Sequence, residues 1–283
     1  MKVVFLRLPL LLLLSSEAFG QFLTPTWRDN PNMQTDLAEW DNFTSANGDN
    51  APDQTSDANA NANLFCTTPS AFITSTGNIY SFQSATSFQL DDSASFPIRG
   101  LVLQIRTLGN SPDTSSMRLI PPDAVTLDDV EFPDRIFVTG VEGLSGPFGG
   151  DGTFRVFQWD LRDNPISSGT YSILFNASGS SMSLDRVQLE LSDRYCVLPD
   201  PAEYDEHTDD RPILTQEASN AIVTWSALSG ATLQGTSDLS DPSSWQEITQ
   251  TLDCSGNLMI MTMGMEALPE FFRLEFPDLG AAQ

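Results

Sequence analysis

Met182-Ser183-Leu184-Asp185-Arg186-Val187-Gln188-Leu189-Glu190-Leu191 alternates apolar and polar side chains with a period of two. That spacing belongs to a strand with one face on a core and one toward solvent. Working back from it, Tyr171-Ser172-Ile173-Leu174-Phe175, Phe154-Arg155-Val156-Phe157-Gln158-Trp159, Arg135-Ile136-Phe137-Val138 and Leu101 to Thr107 repeat the signal. Ser87-Phe88-Gln89-Leu90, Ile79-Tyr80-Ser81-Phe82 and Ala71-Phe72-Ile73 precede them, and Asp36 to Phe43 reads as an opening strand or one helical turn. Gly, Pro and Asn separate these runs, and no stretch combines helical periodicity with caps at both ends. The expected class is all-β: a large jelly-roll-like β-sandwich over residues 21–198.

Pro199 to Asp210 is a Pro-punctuated acidic run, so residues 199–211 are expected to be a solvated linker. Beyond it, Ala221 to Trp225, Ala231 to Gly235, Trp245 to Ile248, Leu258 to Met263 and Phe271 to Phe276 give a second, smaller sandwich over 212–276, with a tail at 277–283. Alternation places Trp225 and Trp245 in its core, while Trp27, in the polar start, carries no signal. Core placement is also the default for Trp40 and Trp159.

The second unit resembles the small immunoglobulin-like or fibronectin type III-like modules that close many secreted proteins of aquatic bacteria. The residues that carry the resemblance are Val223-Thr224-Trp225, Ala231 to Leu239, Trp245-Gln246-Glu247-Ile248 and Phe271-Phe272-Arg273-Leu274. It implies an architectural or adhesive role. The larger unit is similar to jelly-roll domains of the carbohydrate-binding type, through Tyr171 to Phe175 and the Ser183 to Leu189 strand. What that similarity implies is a structural calcium held by Asp185, with Glu39 or Asp41 close by.

The chain starts Met1-Lys2-Val3-Val4-Phe5-Leu6-Arg7, continues through the apolar block Leu8 to Leu14 and reaches Ala18-Phe19-Gly20. Residues 1–20 form a secretory signal with cleavage expected between Gly20 and Gln21. The block is far shorter than the ~20 residues that span a bilayer. A released, extracellular protein with no membrane span in its mature part is therefore expected.

Thirteen basic residues against 38 acidic ones give a net charge of −25, and Lys2 is the only lysine. Such a surface repels phosphate backbones, so nucleic acid is excluded as a partner. Without lysine beyond the signal there is no phosphate-loop NTPase, kinase or Schiff-base chemistry. The single histidine, His207, falls in the acidic linker and not in a packed site where a triad would need it. Zinc has no credible ligand set.

Carboxylates are the one catalytic type in surplus. Glu39-Trp40-Asp41-Asn42-Phe43-Thr44 begins like the Glu-x-Asp-x-x-Glu strand of retaining β-glucanases, but Thr44 stands where the second Glu belongs. Asp57-x-Asn59-x-Asn61 spaces oxygen ligands for a hard cation, yet Ala62 replaces the turn glycine and Thr68 the closing Glu. Gly149-Gly150-Asp151-Gly152 is most simply a turn, and Asn42 and Asn176 fit a glycosylation pattern.

Three cysteines permit one disulfide in an oxidising compartment. Cys66 with Cys196 would tie the large unit's start to its end, and is favoured. Cys196 with Cys254 would instead staple the two units together. The combined expectation is a secreted, non-catalytic binding or structural protein without a cofactor other than structural calcium. Its expected partner is a polysaccharide or a cell-surface or matrix component. The alternative is a glycoside hydrolase with a carboxylate pair.

Overall fold

The structure, a computed structural model, describes residues 22–56, 61–126, 129–143, 151–200, 212–227, 231–248, 252–264 and 269–275, except positions 26, 29, 31, 94, 218 and 270. The signal segment, the linker from 201 with His207, Asp57 and Asn59, Gly149 and Gly150, and the 277–283 tail lie outside the described residues.

The chain is all-β, and its sheets are antiparallel. In order, the strands of the larger unit are β1 (Thr35–Trp40), β2 (Asp49–Asn50), β3 (Gln54–Thr55), β4 (Asn63–Cys66), β5 (Phe72–Ile73), β6 (Ile79–Tyr80), β7 (Ser87–Asp92), β8 (Gly100–Gly109), β9 (Arg118–Ile120), β10 (Arg135–Gly143), β11 (Asp151–Asp160), β12 (Tyr171–Asn176) and β13 (Met182–Ser192). One sheet runs β10-β11-β8-β13-β1-β3, with the β5–β6 hairpin also joined to β13; the other runs β2-β4-β7-β12-β9. From β7 onward the chain keeps crossing between the sheets, with β10 and β11 taken as one hairpin. This is the jelly-roll connection, and it fills a sandwich from both inner faces.

Alternation decides what enters that core. Leu101, Leu103 and Ile105 of β8, Phe157 and Trp159 of β11, and Tyr171, Ile173 and Phe175 of β12 are buried together with Trp40 and Phe43. Phe88 and Phe175, partners across β7 and β12, stack with centroids 4.9 Å apart. The Trp40 indole N–H donates to the Asn50 carbonyl at 2.8 Å, so the ring is buried without an orphaned donor.

The period of two in β13 is interrupted once. Leu184 pairs with Thr107 and Arg186 with Arg106, which leaves Asp185 as an extra residue in a bulge. Met182 and Leu184 before it, and Val187, Leu189 and Leu191 after it, all reach the core. The bulge resets the phase, and Asp185 is spared from burial.

One carboxylate does enter the sandwich. Asp92 is 4% exposed and accepts from the Tyr171 hydroxyl at 2.8 Å. Burial pushes the Asp92 carboxyl up; hydrogen bonds from Tyr171 and the Ser93 backbone offset this only partly, and Asp36 adds to it. A folded pKa above the unfolded one means stability is full at acid pH. It is lost as pH rises from the ordinary carboxylate range through the raised value. Asp92→Asn keeps an acceptor for Tyr171 and offers its amide toward Asp36. It should melt higher at neutral pH and flatten that part of the stability–pH curve. Urea unfolding at a series of pH values measures both, and an unchanged slope would refute the assignment.

The smaller unit comprises β14 (Ile213–Glu217), β15 (Asn220–Ser226), β16 (Thr232–Thr236), β17 (Gln246–Glu247), β18 (Leu252–Ser255), β19 (Leu258–Gly264) and β20 (Phe271–Glu275). Its sheets are β14-β15-β19-β18 and β17-β16-β20. Ala221, Val223 and Trp225 face inward with Met259, Met261 and Met263. Trp245 does not join them as expected. It is half-buried beneath the Arg273 guanidinium, 4.4 Å from its ring centroid.

A second apolar cluster unites the units. Val102, Val156 and Phe137, on the outer face of the eight-stranded sheet, pack with Leu198, Trp225, Leu233 and Met259. Trp27 belongs to it and is buried, despite its polar neighbourhood in the sequence. Two chain segments cross this face, held by fully buried glutamines. Gln104 bonds the Leu23 N–H and carbonyl, each at 2.8 Å. Gln158 bonds the Cys196 carbonyl at 2.6 Å and the Leu198 N–H at 3.1 Å. The 196–198 segment is thus a strap and not part of the solvated connection.

The disulfide joins Cys196 to Cys254, with Cα atoms 5.7 Å apart, and corrects the expected Cys66–Cys196 pairing. Cys66 is buried inside the sandwich as a free thiol, whereas Cys196 lies in the cluster on the far side of the eight-stranded sheet. Stacked sheets lie ~10 Å apart, and a disulfide requires Cα atoms within about 7 Å.

Candidate surface on the eight-stranded sheet

The strap and the small unit cover only part of the sheet's outer face. Phe22 and Phe154, whose rings meet edge to face at 5.8 Å, lie on another part of it. Register carries one row of partners across it: Phe72, Tyr80, Ser183, Leu108, Gly152 and Glu142. Residues directly opposite in antiparallel strands share a face. Five strand spacings give the row a span of ~24 Å.

One end of the row is aromatic. Phe72 and Phe82 stack at 5.6 Å, and Tyr80 stands edge-on to both, at 5.7 and 4.6 Å. Phe82 is 69% exposed and Phe72 39%. The β5–β6 hairpin presents them because Ile79 is fully buried, which turns its neighbour Tyr80 outward.

The part of the sheet from β13 to β10 is charged. Arg106 bridges two carboxylates: one guanidinium nitrogen pairs with Asp185, the other donates to Glu142 at 2.7 Å. Asn78 donates to Asp185 at 2.8 Å and to the Ser183 hydroxyl at 3.2 Å. Burial alone would pull Arg106 down, but the bond to Glu142 and the field of Asp185 outweigh it and raise its pKa. The guanidinium therefore stays charged, lying 5.2 Å from the Phe154 ring centroid. Among the described residues its buried Nε–H has no hydrogen-bond partner. A planar cation fixed between carboxylates sets polar groups in one plane beside the Phe154 ring.

The residues expected to hold calcium are placed differently from one another. Asp185 sits at the bulge with Arg106 and Asn78. Glu39 is 6% exposed and pairs with Arg186, with Gln188 donating at 3.4 Å. Asp41 lies at the end of β1 beside Asp53, whose carboxylate accepts the Asp41 and Asn42 N–H groups at 2.8 and 3.0 Å. Burial and the contact with Asp53 push the Asp41 carboxyl up. Among the described residues no three His, Cys, Asp or Glu side chains form a group that could hold a metal ion. Asn61, from the other oxygen-rich run, exchanges hydrogen bonds with Ser93.

Sequence reasoning recognised the runs carrying Phe72, Tyr80, Phe82 and Arg106, stopped short of Glu142 at Val138, and did not show their convergence. Tyr80 and Phe82, two apart, already share a side by alternation; what brings Arg106 and Glu142 to the same face is long-range register. A scan against protein-family models finds no family that matches this chain, and a search of curated proteins finds no significant match either.

Proposed function

We propose that this protein is an extracellular, non-catalytic binding protein. The outer face of its eight-stranded sheet takes an uncharged polysaccharide. The observation that carries the reading is the exposed Phe72–Tyr80–Phe82 cluster on the same sheet as the Arg106–Asp185–Glu142 set. Sugar rings present C–H faces that stack on aromatic rings and hydroxyls that bond to planar charged groups. A single exposed aromatic is unremarkable, but a contiguous cluster of them marks an interaction surface. The negative charge of the chain disfavours sulfated or uronate polymers. The small unit braces this face from behind the strap, in keeping with an architectural role.

The test is a glycan array probed with the chain from residue 21 onward, followed by calorimetry on the best ligand. Phe82→Ala removes a ring that is 69% exposed. It should weaken binding by about tenfold, the scale of one lost aromatic contact, while leaving the melting temperature unchanged. Retention of no neutral glycan would end the carbohydrate reading. Release of reducing sugar that stops on Asp185→Asn or Glu142→Gln would replace it with the carboxylate-pair hydrolase.

A further inference from the structure

We propose a second, separate binding site, at the junction of the two units, for a small uncharged apolar molecule about the size of two fused rings. A cavity of ≈ 320 Å³ opens there, walled by Leu23, Leu198, Trp225, Leu233, Met259 and Met261. These six residues come from three parts of the chain: the N-terminal segment, the strap and the small unit.

The walls are fixed in advance. Gln104 holds the Leu23 backbone on both sides, and Gln158 and Arg135 hold the Leu198 N–H and carbonyl. The Trp225 indole N–H is spent on the Ala231 carbonyl at 3.0 Å. The disulfide ties the strap to the small unit beside the cavity. These wall polar groups are thus used within the protein, and the lining that remains is mostly apolar, with Thr24, Thr232 and Glu247 contributing its polar part.

That chemistry selects the ligand. Apolar cavities of about 150 Å³ already hold a benzene-sized molecule, and twice the volume suits a bicyclic one. Small-molecule sites favour clefts between domains, and this volume lies at the lower end of their range of about 300–1,000 Å³. Methionine sulfurs make favourable contacts with ring edges and adapt to the ligand's outline. Among the lining residues Glu247 carries a charge and is exposed, and the chain as a whole is negative, so an anionic amphiphile is disfavoured.

The experiment uses the disulfide-bonded protein with naphthalene and indole as neutral probes and 2-naphthoate as the anionic one. The methionine methyl resonances of the native protein report the site. Met259 and Met261 should shift on adding a neutral probe, while Met117 and Met182, in the other core, should not. Intrinsic fluorescence titration should give naphthoate an affinity at least about tenfold weaker than naphthalene. Ala231→Phe, which fills the cavity from its wall, should abolish both responses. If that variant does not fold, Ile248→Trp on the half-buried wall fills the same space. Shifts spread over both cores, equal binding of naphthoate, or binding that survives the cavity-filling variant would each overturn the proposal, as would no binding of any probe. The glycan platform is untouched by these variants, so either result leaves that question to its own test.

Discussion

Replacing both Cys196 and Cys254 with serine should lower the stability of the protein by about 4 kcal/mol. The two residues are 58 apart in sequence, and the chain-entropy cost of closing a loop of that length in the unfolded state gives this figure. The effect should concentrate at the junction. The disulfide sits where the 196–198 strap meets β18, flanked by the Arg194–Asp253 ion pair and by backbone bonds from Val197 to Gly256 and from Gly256 to Tyr195. Losing it frees the small unit to separate first, so a single calorimetric transition should split into two. Reduction of the native protein with dithiothreitol should reproduce the shift. A melting temperature indifferent to both treatments would remove the disulfide from the account of how the units are joined.

The third cysteine provides an internal control. Cys66 is a buried free thiol, and burial pushes its pKa up despite hydrogen bonds from Thr68. A raised thiol pKa means less thiolate, and thiolate is the reactive form. The folded, oxidised protein should therefore resist alkylation and yield one reactive thiol only on unfolding.

How far the sequence reveals this molecule follows from the range of the interactions involved. Strand existence is a local property: Leu101, Leu103 and Ile105, or Ile173 and Phe175, announce an inward face by spacing alone. Even the β13 bulge has a local trace, because Leu184 and Val187, both buried, stand three apart and not two. The period of two reads as unbroken there because Asp185 and Arg186 are both polar. The disulfide was less legible. Three cysteines fix the number of bridges but not the partners, and which side of a sheet each occupies is a tertiary fact. Trp27 shows the same limit: its burial depends on a cluster assembled by Val102, Leu198 and the small unit. The aromatic and charged platform was invisible for that reason too. Residues 72, 106, 142 and 185 meet only through the register of six strands.

Gln158→Ala should destabilise the protein by about 3 kcal/mol, far more than the loss of an ordinary polar side chain. The amide is fully buried and completes the strap as a missing strand would, donating to the Cys196 carbonyl and accepting from the Leu198 N–H. Truncation leaves two buried backbone groups without partners, and each orphan costs about 1–3 kcal/mol. Leucine at this position fills the volume but repairs neither bond, so it should recover little. Glutamate is the more telling change. Ionised, it can still accept from Leu198 but opposes the Cys196 carbonyl and buries a charge; protonated, it can donate again. Its folded pKa must therefore be raised, and stability that is lost near neutral pH should return as the pH falls through that value. Urea unfolding of the three variants at pH 4 and pH 7 separates these cases. Because Gln158 and the disulfide grip the same strap, combining Gln158→Ala with the double serine variant should cost less than the two changes added separately. Strict additivity would mean that the strap is held at Leu198 and Cys196 by independent contacts, and that the units are not joined through it as one cooperative element.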